Sequence, residues 1–96
     1  MRLSERDKPT VYNVPMAALN TEYSQALPAR VKRFTFQLQA GTDCKLSYTV
    51  GTSGSNYITI KSGSSYSEEN LNPADTITLY FQSASNTQVA EIITWE

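Results

Sequence analysis

Few side chains in this sequence are equipped for bond-making or metal chemistry. Cys44 is the lone cysteine, and the chain has no histidine. A cysteine nucleophile needs a neighbouring base to take its proton, and the missing imidazole removes the commonest general base, metal ligand and pH switch together. Cys44 instead alternates in phase with Leu46, Tyr48 and Val50, the pattern of a small buried hydrophobe at the start of an inward-facing set. Alone, it forms neither an internal disulfide nor a cysteine-rich zinc site. Oxygen ligands gather at Glu68, Glu69, Asn70 and Asp75, without the alternating ligand spacing and central glycine of a calcium loop, so a solvated acidic loop is expected there. The three Asp and six Glu fall mostly in turns and tails, not in the facing pair that glycoside hydrolysis needs. Gly51-Thr52-Ser53-Gly54 lacks the lysine and helix start of a phosphate loop, and no serine-nucleophile elbow is present. These residues point away from catalysis and imply no metal or cofactor.

The groups suited to recognition are more numerous. Arg30, Lys32 and Arg33 form a small basic cluster, which with a net charge of −1 reads as an exposed, salt-bridging rim and not as a nucleic-acid footprint. Six tyrosines stand among eleven Ser, eleven Thr, six Asn and five Gln, uncharged polar residues that make up a third of the chain. Tyr12, Tyr57, Tyr66 and Tyr80 fall outside the expected core set or near turns. Exposed tyrosine in such company suits either sugar stacking or a protein interface, because the ring offers contact area at low entropic cost.

The elements that must position these residues are strands. Five of the first eight residues are charged and Pro9 follows, so residues 1–9 read as a solvated arm, with Arg2, Arg6 and Lys8 as its cations. The arm has no apolar stretch of a secretory leader, no window reaches the roughly 18 apolar residues of a membrane span, and an unpaired cysteine suits synthesis in a reducing cytoplasm. Residues 10–96 form one domain by length. Val11 to Leu19 is extended and interrupted by Pro15, which marks an edge strand or bulge; Thr21 to Leu27 is a second piece. Val31 to Ala40 alternates cleanly, with Phe34, Phe36, Leu38 and Ala40 on one face. Tyr57 to Lys61 follows with Ile58 and Ile60 inward, Tyr66 opens a short extended stretch, and Thr76 to Ser83 turns Ile77, Leu79 and Phe81 inward. Gln88 to Trp95 is last. The reading is an all-β chain of seven or eight short antiparallel strands, a sandwich of jelly-roll or immunoglobulin type.

The last strand carries apolar residues on both faces. A buried, unpaired Glu91 would cost several kcal/mol or be forced neutral. Ala90 and Ile92 are therefore assigned to the core, and Val89, Glu91, Ile93 and Trp95 to the outside. Either a bulge resets the register, or the arm covers the patch, or Val89, Ile93 and Trp95 meet a partner.

The stretch Asn20 to Ala29 with Arg33-Phe34-Thr35-Phe36-Gln37, then Tyr57-Ile58-Thr59-Ile60, Gly63 to Glu68, Leu79-Tyr80-Phe81-Gln82-Ser83 and Val89-Ala90-Glu91-Ile92 with Trp95, resembles small β-sandwich virion proteins of tailed bacteriophages. The resemblance spans residues 10–96 and rests on strand and turn patterns. It implies a non-catalytic decoration, cement or neck-associated protein. Such a protein would be made in the host cytoplasm and carried in the virion, and would form a trimer or ring that binds a capsid or connector protein. Nucleic acid and membrane are not expected partners, and a carbohydrate-binding module using the exposed tyrosines is the alternative.

Overall fold

A computed structural model describes residues 8–39, 42–71 and 76–96. Eight strands run along the chain: β1 (Thr10–Met16), β2 (Tyr23–Ala26), β3 (Arg33–Leu38), β4 (Cys44–Ser47), β5 (Ile58–Ile60), β6 (Tyr66–Glu68), β7 (Thr78–Ser83) and β8 (Gln88–Trp95). They form two four-stranded sheets ordered β1-β8-β3-β6 and β2-β7-β4-β5, with every pairing antiparallel. The first strand pairs with the last, the second with the seventh, the third with the sixth, and the fourth with the fifth. The chain is thus one long hairpin whose paired arms are shared between two sheets, which is the eight-stranded jelly roll.

Period-2 alternation decides which side chains meet between the sheets. β3 contributes Phe34 and Phe36, β4 contributes Cys44 and Leu46, β7 contributes Leu79 and Phe81, and β8 contributes Ala90 and Ile92, all buried. Phe36 and Phe81, from opposite sheets, stack tilted with centroids 5.1 Å apart. Met16, Leu27 and Val31 close the ends of the same core. Pro15 sits within β1 opposite Val89. β1 is an edge strand, where a missing N–H donor is tolerated.

The structure corrects the sequence reading at the end of β4. Tyr48 and Val50 were expected inward, but the strand stops at Ser47 and these side chains are 41% and 68% exposed. The chain turns back there, with Thr52 N–H donating to Thr49 O at 3.2 Å and Asn56 N–H to Thr52 O at 2.9 Å. Ile58 does lie opposite Leu46, yet it is 37% exposed because β5 is itself an edge strand. Ala40 lies outside the described residues.

Candidate functional site

β8 runs between β1 and β3, and its burial alternates without a break from Gln88 to Trp95. Its register with both neighbours is continuous, which removes the bulge as an explanation for its two apolar faces. Ala90, Ile92 and Thr94 face the core and are buried; Val89, Glu91, Ile93 and Trp95 face outward and are half-buried. Val11, 58% exposed, lies opposite Ile93, and Pro15 lies opposite Val89. A polar row divides these apolar pairs: Gln37 donates to Glu91 at 2.7 Å, with Asn13 opposite Glu91 on the other side. The outer face is therefore two apolar patches, Val11–Ile93–Trp95 and Pro15–Val89, and not one stripe. Lys8 is exposed just before β1; Arg2 and Arg6 lie outside the described residues.

Trp95 forms the head of this face. Its register partner on β3 is Arg33, whose guanidinium sits 3.9 Å from the indole centroid. Stacked there, the cation meets the negative face of the ring while its N–H edges stay available. Arg33 Nη1 lies 3.9 Å from Glu69 Oε1, both side chains well exposed. Lys32 N–H donates to Trp95 O at 2.7 Å and Leu71 N–H to Lys32 O at 2.8 Å. These bonds fix the segment leading into β3, Trp95 and the 69–71 segment around an open cleft of about 900 Å³. Arg30 and Lys32 line it as well. The basic cluster and the tryptophan, separated by more than sixty positions in sequence, thus become neighbours. Outward phase was legible for both Arg33 and Trp95, but their juxtaposition depends on the β3–β8 register.

The tyrosines do not assemble into one platform. Tyr12 is half-buried and packs against the core, which corrects its expected exposure. Tyr66 is likewise half-buried, with its ring 6.0 Å from that of Phe34. Tyr48 O–H donates to Tyr66 Oη at 3.2 Å and Tyr66 O–H to Glu68 Oε2 at 2.6 Å. Burial raises both phenols above their ordinary range, and for Tyr66 the bond to the Glu68 carboxylate adds to the rise. Tyr57 is 41% exposed with Lys45 Nζ 4.8 Å from its ring centroid. Tyr80 is half-buried and opposes Ser24 and Ser47 on the outer side of the second sheet.

The other candidates have local duties. Cys44 is buried, which pushes its thiol up to about 12 and leaves it protonated and unreactive at neutral pH. Asp43 accepts Ser62 N–H at 2.8 Å and lies 3.7 Å from Lys61 Nζ. Asp75 lies outside the described residues. Among the described residues, no group of three or more acidic, cysteine or histidine side chains converges as a metal site.

A network invisible in the sequence covers the outside of the second sheet. Glu22, just before β2, accepts Gly51 N–H at 2.8 Å, Ser53 N–H at 3.1 Å and Ser53 O–H at 2.5 Å. Gln82 of β7 donates to Ser53 Oγ at 2.9 Å, and Thr52 O–H donates to Ser47 Oγ at 3.0 Å. Gly51 takes φ +78°, a conformation glycine adopts without strain. The Ser53 hydroxyl and the Gly51 N–H hold the Glu22 carboxyl below the usual carboxylate range.

No protein-family model matches the chain, and no curated protein matches it. Among solved structures it is similar to the solution NMR structure of a de novo designed double-stranded beta-helix, at 19% identity and a TM-score of 0.56, over 93% of this chain and 99% of that one. At that identity the likeness concerns fold alone.

Proposed function

We propose that the protein is a non-catalytic structural component of a bacteriophage virion, a jelly roll that associates with copies of itself and with a capsid or connector protein. The observation that carries this reading is the outer face of the β1–β8 pair. An edge strand with no charged residue between Thr10 and Met16 presents Val11 beside Ile93, with Trp95 at the head. Apolar patches rimmed by polar groups mark contact surfaces, and eight-stranded jelly rolls are a recurrent architecture of viral capsid proteins. The sequence resemblance to small tailed-phage sandwich proteins points the same way.

The test is the solution mass by light scattering across a concentration series. The wild-type chain is expected to form a defined oligomer such as a trimer or ring, and the double variant Val11→Ser/Ile93→Ser to fall to monomer with its circular dichroism unchanged. A wild-type monomer at every concentration, or an oligomer indifferent to the double variant, overturns the self-association reading.

A further inference from the structure

The cleft at the head of the β3–β8 pair is a second, chemically different surface. Three cations, Arg30, Lys32 and Arg33, share it with one carboxylate, Glu69. Three charges against one leave the cleft at +2, while the whole chain carries −1, so the remainder of the molecule is net negative and the positive field is local. Among the described residues, neither Arg30 nor Lys32 has an acidic partner. The one acid present holds Arg33 loosely: at 3.9 Å between exposed groups, such a solvent-screened pair contributes little, and an incoming carboxylate can replace it. Arg33 is already oriented by its stack on Trp95. A guanidinium whose face is occupied still offers two parallel N–H groups along an edge, the geometry for bidentate carboxylate binding. Beside it, Trp95 and Leu71 supply apolar contact, and the backbone bonds from Lys32 to Trp95 and from Leu71 to Lys32 hold the cleft in shape before any ligand arrives.

We propose that this cleft docks an acidic peptide segment of a partner protein, seating an Asp or Glu carboxylate on Arg33 and a neighbouring aliphatic side chain against Trp95. A nucleic-acid strand is the poorer fit, because phosphate neutralisation favours a broad basic surface and here the positive charge is confined to one cleft. The site needs no second copy of the chain, so it stands whether or not the protein self-associates.

Trp95 is the chain's one tryptophan, so intrinsic fluorescence reports on this cleft directly. The full chain is titrated with an acetylated hexapeptide of alternating glutamate and leucine, with its glutamine–leucine counterpart, with inorganic phosphate and with oligothymidylate. The expected result is a saturable change with the glutamate peptide at millimolar concentration or below, weakened at 0.5 M salt, and no saturation with the other three. Arg33→Lys keeps the charge but loses the bidentate edge and is expected to weaken binding about tenfold. Arg30→Gln, with circular dichroism confirming the fold, is expected to weaken it severalfold. The proposal is overturned by a flat titration, by equal binding of the glutamine peptide, by tighter binding of phosphate or oligothymidylate, or by an Arg33→Lys variant that binds like wild type.

Discussion

The two outer faces of the sandwich treat their side chains in opposite ways. On the β2-β7-β4-β5 sheet, the segment between β4 and β5 lies back over the strands, and Ser53, fully buried, is gripped between Glu22 and Gln82. On the β1-β8-β3-β6 sheet, the outward side chains of the β1–β8 pair are apolar on either side of the Asn13–Glu91 row, while β3 and β6 turn Thr35 and Ser67 outward, bonded to each other at 3.0 Å. The described residues lay no comparable loop across the apolar part. Polar groups in a partly dry site need fixed partners, which the chain supplies from within itself. Apolar side chains need only another apolar surface, and that can come from another molecule. The contrast separates a face finished during folding from a face that the proposed association would finish.

The comparison breaks most completely where the faces share a foundation. Phe81→Ala removes the ring that meets Phe36 between the sheets, and such truncations cost about 3–5 kcal/mol. In urea denaturation both faces should lose their structure in one transition at a much lower midpoint. Two separate transitions would show that the sheets are independently stable.

A smaller effect isolates the covered face. Ser53→Ala deletes a buried hydroxyl that donates to Glu22 and accepts from Gln82, at an expected cost of about 1–3 kcal/mol from the stranded partner and lost bonds. Amide exchange at Gly51 and Ser53 should accelerate while β8 remains protected. The acid response has a definite sign. Glu22 is held below its ordinary range in the folded state, so its contribution is complete above that range and is lost as pH falls through the lowered folded-state value. Exchange monitored by NMR should therefore show the loop loosening in acid, and a Glu22→Gln variant should lack that response.

The smallest effect lies beneath the open side, on the core-facing side of β8. Thr94 of β8 is buried, and its hydroxyl finds no partner among the described residues. Thr94→Val keeps the shape and removes the unsatisfied group, so a gain of about 1 kcal/mol is expected, read as a higher melting temperature with unchanged solution mass. A loss of stability would mean that the hydroxyl is satisfied in solution.

Alternation made β3, β7 and β8 legible, because each has one face against a single core. β8 begins and ends where Gln88 and Trp95 predicted, and Glu91 correctly turned Val89, Ile93 and Trp95 outward. Pro15 marked β1 as an edge strand or a bulge, and β1 is an edge strand. What sequence could not show is anything that depends on which strand lies beside which. Arg33 meets Trp95 only through the β3–β8 register, and Ser53 meets Glu22 and Gln82 only after both sheets have formed. Tyr48 and Val50 continue the apolar phase of Cys44 and Leu46, yet the loop held by Glu22 draws the chain away before the strand can extend. Tyr12 sits inward because the outward phase of β1 belongs to Val11, Asn13 and Pro15.

The pairing of first strand with last also sets when this molecule can exist. β8 holds the second position in its sheet, joined on one side to β1 and on the other to β3. While a ribosome is still extending the chain, β1 has no hydrogen-bonding neighbour and β3 has only the three residues of β6. Nothing resembling the native sheet can close until the final eight residues of strand have emerged. Non-local pairing of this kind folds slowly, so each new copy passes through an interval in which the bare edge of β1 awaits its own β8 and is open to capture by another chain's.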